Sequence, residues 1–387
     1  MTTVLVTALE PSGDALGAGL MGELRRRLGP DVRFVGVGGR DMAVAGLSSA
    51  FDIVDLSVVS LLGGLFAYRR ADARARQIAE LAIREKPDIA VLIDSWGFSY
   101  LLAKRLRRAL PQLPLVKYVG PQVWATRPGR AKALAATFDR LLSIIAFEVP
   151  QFEAAGAATT FVGHPALDAD IPAGDREGFR KGIGAGPSDP VLLVLPGSRR
   201  SEIERLMGPF EEAVGVLKAT RPTLQVLLAA APTVADQVRA RTAGWPFRVH
   251  LLDDPETRRD AMAGADAALA CSGTVTTELA VAGCAMVVAY RLDPLSYRIA
   301  KRIGRTRFIT LINIAADQAI APELIQDDCT GPKLAEALTP RLDDPDFRSR
   351  QIEAQTQALE GLGGRGEAPA RRAADAVLEM LKISPRS

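Results

Sequence analysis

Carboxylates that close apolar runs are the first residues here with chemistry to offer. Asp94 ends the stretch "DIAVLID", where a buried strand would open to solvent. A carboxylate there either takes a proton from a substrate or caps the helix that follows. Glu10, Ser12, Gly13 and Asp14 occupy the equivalent turn after the first apolar run, "TTVLVTALEPSGD", and the same two readings apply. In "YVGPQVWATRPGR", Gln122, Trp124 and Arg127 bring an amide, an indole and a guanidinium into one Pro-bounded loop. That set suits a sugar or a phosphate, or else a rigid loop packed by its tryptophan. In the second half, "VLLVLPGSRRSEIE" breaks at Gly197, Ser198 and Arg199, where backbone amides and a cation favour an anion. Glu202 and Glu204 suit the start of a helix through its dipole. "AALACSGTVTTELA" breaks at Ser272, Gly273 and Thr274, and Glu278 follows four residues after Thr274 on the same helical face. A carboxylate one turn behind a phosphate cradle is placed to meet vicinal ribose hydroxyls. Either turn alone is also an ordinary N-cap; the two together describe a nucleoside diphosphate site without a Walker lysine.

The elements that must position these groups alternate between short β-branched runs and helical spacing. Runs at 3–8, 32–39, 88–94 and 115–120 are strands of a first series, and 191–195, 224–230, 248–253, 267–271 and 286–291 form a second. Leu16, Leu20, Leu24 and Leu28 mark a helix ending at Arg25-Arg26-Arg27 and Gly29. The fold class is therefore α/β, two doubly wound Rossmann-like domains with a cleft between them and ligands beyond the carboxyl ends of the strands. The expected divisions are 1–165, 166–350 and a C-terminal helical segment, 351–387, packing back. "GAGLMG" at Gly17, Gly19 and Gly22 lies about two helical turns too late for a dinucleotide fingerprint and reads as a helix face packed on the sheet. With 48% hydrophobic and 24% charged residues and a net charge of +3, disordered, fibrous and generally polyanion-binding classes are excluded, and no nucleic-acid partner is expected. Cys271, Cys284 and Cys329 have no ligand spacing, so neither a disulfide framework nor a metal site is expected. No apolar run reaches the roughly 18 residues of a spanning helix, and the N-terminus reads as a strand rather than a signal peptide.

The stretches "EPSGD", "FVGVGG", "YVGPQVWA", "FVGHPALD", "LPGSRRSEIE", "SGTVTTELAVAGCAMVVAYR" and "NIAADQAIAPELIQDDC" resemble, in order and spacing, the lipid A disaccharide synthases, a glycosyltransferase family of GT-B architecture, from about residue 3 to about residue 380. The resemblance implies an inverting transfer of 2,3-diacylglucosamine from its UDP derivative to 2,3-diacylglucosamine 1-phosphate. The products are the β-1,6 disaccharide 1-phosphate and UDP, formed without a metal or cofactor. It implies that Ser12, Gly13, Asp14 and Asp94 serve the acceptor, and that Arg199, Thr274, Glu278, Asn313 and Glu323 serve the donor. The sequence departs from the family pattern at Gly97 and Ser99, where a second acid and an asparagine are usual, and at Thr126 and Ile312. These departures leave acyl preference open. An inverting displacement needs a base. His164 lies in the linker and His250 inside a strand, so the base is expected among Asp94, Asp14 and Glu10, with Asp94 leading.

Acylated substrates raise the question of a membrane surface. The run 55–76 places Val58, Val59, Leu61, Leu62, Leu65 and Phe66 ahead of Arg69, Arg70, Arg74 and Arg76. Gly63-Gly64 would cost a core helix about 1 kcal/mol per glycine, so a mobile loop and short helix in the lipid interface is expected, with the arginines near anionic headgroups. The expected location is cytoplasmic, peripheral to the inner membrane; a homodimer stays open. The alternatives are a UDP-sugar epimerase of similar architecture and a non-catalytic lipid-binding relative.

Overall fold

The computed structural model describes residues 2–53, 64–168, 171, 173–252 and 254–381. The chain divides into two compact units, Met1–Asp170 with Gly366–Ser387, and Ile171–Arg365. This differs from the expected division of the C-terminal segment, which is split at Gly366. The helix Pro345–Gly361 belongs to the second unit, while Pro369–Met380 belongs to the first, where Ala373, Ala374, Ala376, Val377 and Leu378 share a core with Leu20, Met21 and Leu24.

The first unit is a parallel sheet of six strands: β1 (Thr3–Thr7), β2 (Arg33–Val37), β3 (Ile89–Ile93), β4 (Leu115–Tyr118), β5 (Arg140–Ser143) and β6 (Thr159–Phe161), in the order β2-β1-β3-β4-β5-β6. Alternation along β1 sends Val4, Val6 and Ala8 to the face packed by the helices Pro11–Leu28 and Pro369–Met380. Leu5 and Leu9 go to the face packed by Gly64–Glu85 and Trp96–Ala109. Both faces are covered, which is why every β1 and β3 residue is buried. Gly17 explains part of the glycine-rich helix: a Cβ there would lie 2.5 Å from the Met42 sulfur and 3.2 Å from an Ile93 methyl. Gly19 faces Ala370, and Gly22 faces nothing.

The second unit repeats the plan with β7 (Val191–Leu195), β8 (Gln225–Ala229), β9 (His250–Leu252), β10 (Ala267–Cys271), β11 (Ala285–Tyr290) and β12 (Glu323–Ile325), in the order β12-β11-β10-β7-β8-β9, again all parallel. Leu192 and Val194 pack on Ile203, Leu206 and Phe210 of the helix Arg200–Thr220 and on Leu334 and Leu338 of Gly331–Asp343.

In each sheet the strand order reverses at one place. β1 stands between β2 and β3, and β7 stands between β8 and β10. Connections leave in opposite directions at such a switch point and open a crevice beyond the carboxyl ends of the two strands. The crevices fall at the exits of β1 and β3, and of β7 and β10.

Candidate active site

At the first switch point Thr7 pairs with Leu92, two residues before Asp94. The turns after β1 and β3 touch: a Cβ on Gly13 would lie 3.6 Å from the Asp94 Cβ. Asp94 and Ser95 both adopt left-handed backbone, with φ of 46° and 40°, a conformation that non-glycine residues keep only where surrounding bonds enforce it. Here the Asp94 N–H donates to the Tyr118 carbonyl at 2.9 Å, and the Asp94 carbonyl accepts from Ser99 Oγ at 2.7 Å and from Lys117 Nζ at 2.5 Å. Among the described residues, none donates a hydrogen bond to the half-buried Asp94 carboxylate. The helix-cap reading is absent too, since no side chain caps Trp96–Ala109.

Asp14 is held differently. It is buried, and its carboxylate accepts the backbone N–H groups of Gly39 (2.6 Å), Asp41 (2.8 Å) and Met42 (3.2 Å), capping the short helix Arg40–Val44 rather than its own. Both of its oxygens are spent on backbone amides, so its role in the structure is to hold that helix. Ser12 is exposed in the first turn of Pro11–Leu28, and Glu10 is its N-cap residue, without a side-chain cap bond.

Lys117 and Glu148 escaped the sequence reading. Lys117 is fully buried in β4, and its Nζ also donates to the carbonyls of Leu92 (3.2 Å) and Tyr118 (3.3 Å). Burial pulls its pKa down to about 7, against the opposing pull of Asp94 and Glu10. Glu148, 1% exposed, accepts from Ser143 Oγ at 2.7 Å and from Trp124 Nε1 at 3.2 Å. Burial pushes it up to about 7, against those two bonds. The Trp124 ring also meets Phe147 edge-on at 5.5 Å. The indole is therefore anchored from below, and Gln122 and Arg127 are exposed in the same loop. The available signal was a charged residue inside an apolar run, "LVKYVG" and "IIAFEVP".

Neither histidine joins the site. His164 is buried and lowered to about 4 by burial, and its Nδ1 accepts the Ala166 N–H at 3.2 Å. His250 Nε2 lies 3.2 Å from Gln225 Oε1 between β8 and β9.

At the second switch point, Leu195 pairs with Ala270, which brings the turn Gly197-Ser198-Arg199 beside Ser272-Gly273-Thr274. The first turn is not the open amide cradle expected. Glu202 Oε2 accepts the N–H groups of Ser198 (3.0 Å) and Arg199 (3.1 Å), and Oε1 accepts from the Arg199 guanidinium at 3.0 Å, a capping box that occupies those amides. Gly197 is required by it: its φ is 115°, and a Cβ would come within 2.4 Å of Glu202 Oε2. The Arg199 guanidinium remains 68% exposed. The second turn is open. No side chain caps Thr274–Val281, Gly273 and Thr274 are exposed, and a Cβ on Gly273 would meet nothing within 4 Å. Glu278 is partly exposed one turn behind, 3.6 Å from the Arg258 guanidinium.

Asn313 and Glu323 were expected to touch the donor; their polar atoms are turned inward. The Glu323 carboxylate accepts from the N–H groups of Ile309 and Thr310, from Thr310 Oγ1 and from Asn313 Nδ2. Asn313, fully buried, also exchanges bonds with the Ala321 backbone. The pair clasps the start of Leu311–Ala316 to β12, an anchoring role.

Of the lipid-facing residues, Val58, Val59, Leu61 and Leu62 lie outside the described residues, and Leu65 and Phe66 fall in the opening turns of the helix Gly64–Glu85. That helix is longer than expected because Ala75, Ile78, Ala79 and Ala82 continue an apolar stripe into the core. Arg69 and Arg70 are exposed, whereas Arg74 stacks over Phe51 at 4.5 Å, and Asp72 pairs with Arg76 and Arg105.

Two parallel doubly wound sheets with reactive groups at both switch points define the GT-B class of glycosyltransferases and epimerases. Solved structures agree: the S. aureus MnaA–UDP co-structure superimposes with a TM-score of 0.63 at 12% identity, covering 99% of this chain and 96% of that one. CalG4, the calicheamicin glycosyltransferase, gives 0.64 at 17%, covering 99% and 98%. The model of the lipid-A-disaccharide synthetase family matches residues 4–377, and the lipid-A-disaccharide synthase of Rhodospirillum centenum is 42% identical over 379 residues, 98% of this chain and 94% of its own. The chain belongs to the lipid-A-disaccharide synthetase family. Its role is lipid A disaccharide synthesis by glycosyl transfer, and the epimerase and non-catalytic alternatives are not favoured.

Proposed function

We propose that the second unit takes the UDP-linked diacylglucosamine at the exits of β7 and β10, and that the first unit takes diacylglucosamine 1-phosphate at the exits of β1 and β3. The open N-terminus of Thr274–Val281 receives the pyrophosphate, with the exposed Arg199 guanidinium as its cation and Glu278 toward the ribose. Ser12, Gly13, Gln122, Trp124 and Arg127 form the acceptor side, while Asn313 and Glu323 shape the donor loop from behind. In the transfer, the acceptor 6-hydroxyl oxygen attacks the anomeric carbon as its proton passes to the Asp94 carboxylate. The bond from that carbon to the β-phosphate oxygen breaks, UDP departs, and the linkage inverts from α to β. The helix amides and Arg199 offset the charge that grows on UDP.

The observation that carries this reading is the Asp94 carboxylate: half-buried, without a donor among the described residues, and held at a switch point by strained backbone. Asp94→Asn keeps its shape and removes proton acceptance, so turnover is expected to fall by roughly a hundredfold or more, with UDP affinity unchanged by calorimetry. Near-normal turnover in that variant would remove Asp94 as the base. Attachment to the cytoplasmic face of the inner membrane through Val58, Val59, Leu61, Leu62, Leu65 and Phe66 completes the reading. It is supported by acylated substrates and by the lack, among the described residues, of a helix long and apolar enough to cross a membrane.

A further inference from the structure

Lys117 is an expensive residue to place inside a sheet. A side chain of similar volume without charge, such as methionine, would be far cheaper to bury, so the ammonium must gain something where it lies. Its three protons meet three acceptors, the carbonyls of Leu92, Asp94 and Tyr118, which uses the whole donor capacity of the group. Two of those carbonyls belong to the points where β3 and β4 end. Beyond them the backbone is strained on both sides. Asp94 and Ser95 are left-handed, and so is Val119, with φ of 69°, an outlier for a β-branched residue. Such positions are strained and persist only where neighbouring bonds over-determine them. The Asp94 carbonyl takes a second bond from Ser99 Oγ, so the serine that stands where the family pattern has an asparagine works on the same atom.

We propose that Lys117 is a positioning residue for glycosyl transfer: its ammonium ties the ends of β3 and β4 together and holds the left-handed turn that presents the Asp94 carboxylate. The inference rests on Asp94 being the base. In a left-handed turn the Cα–Cβ bond leaves the chain in a different direction from that of a continuing strand, so the carboxylate's aim depends on the carbonyl bonds that hold the turn.

The test is a kinetic cycle on the full chain with Lys117→Met, Ser99→Ala, Asp94→Asn and the doubles Lys117→Met/Asp94→Asn and Ser99→Ala/Asp94→Asn. Misaiming a reacting group by about 1 Å costs on the order of a hundredfold. Lys117→Met is therefore expected to lower kcat by roughly 10- to 100-fold and Ser99→Ala by roughly 3- to 10-fold, with UDP affinity and the acceptor KM within about twofold of wild type. Residues acting through one group are not additive, so each double should be no slower than Asp94→Asn alone. If Lys117→Met does not fold, Ser99→Ala and its double decide. Losses that multiply in the doubles, or full kcat in both Lys117→Met and Ser99→Ala, overturn the positioning role while leaving Asp94 as base. Full turnover in Asp94→Asn overturns both.

Discussion

Asp14 and Asp94 were rivals for one role, and a single substitution separates them. In Asp14→Asn the remaining oxygen can still accept from two of the three amides, those of Gly39 and Met42, but as a neutral rather than a charged acceptor. The new amide group meets the Asp41 N–H donor to donor and loses the 2.8 Å bond. A lost hydrogen bond to a charged group is worth about 1.5–3 kcal/mol, and demotion of two others to neutral bonds adds about 1–2 kcal/mol. The expected destabilisation is about 2.5–5 kcal/mol, because Asp14 is buried. For a unit of this size each kcal/mol lowers Tm by roughly 2–4 °C, so calorimetry should show the first unit melting roughly 5–20 °C lower. Activity below that melting point should stay within a few-fold of wild type. An Asp14→Asn protein with unchanged Tm and turnover down a hundredfold would refute the capping argument and return Asp14 to the chemistry.

The donor site predicts that Glu278→Ala and Arg199→Ala each weaken UDP binding by roughly tenfold or more at unchanged Tm; calorimetric affinities equal to wild type in both would place the nucleotide elsewhere. His164 sets a pH signature. The unfolded chain takes up its proton near the ordinary value of 6.5 and the folded chain only near 4, so its contribution is fully present above pH 6.5 and shrinks as pH falls toward 4. Denaturant unfolding across that window should show a slope of up to about 1.4 kcal/mol per pH unit that His164→Asn, which keeps an acceptor for the Ala166 N–H, removes. Leu62→Ser with Phe66→Ser should reduce sedimentation with anionic vesicles while leaving UDP affinity unaltered; undiminished sedimentation would move membrane contact to another surface.

The alternation that produced the two series of strands was legible because β1, β3, β7 and β10 are buried on both faces and so read as uninterrupted apolar runs. β5, β6 and β12, of three or four residues each, carry too few positions to show a period. The candidate residues were legible by type but not by partner. Asp14 sits at the head of one helix in the sequence and caps another that begins 26 residues later. Glu202 read as a dipole residue, yet it consumes the amides that made the turn before it look like an anion site. Asn313 and Glu323 carry the right groups for a sugar nucleotide and spend them on each other. Lys117 and Glu148 were hidden for the opposite reason: a charge inside an apolar run looks like an interruption until the carbonyls and the indole around it are seen.

The last helix, Pro369–Met380, completes the core of the unit that begins the chain, and this sets the order of events on the ribosome. Residues 171–365 form a contiguous unit and can close as soon as they emerge. The first unit cannot. Its β1, β2 and the helix Pro11–Leu28 are made first and then wait, with the surface of Leu20, Met21 and Leu24 uncovered, while about 330 further residues are synthesised, roughly 15–65 s at bacterial elongation rates. A stop codon shortly before Gly366 would therefore spare residues 171–365, next to it in the sequence, and damage the unit made first, which would never finish folding.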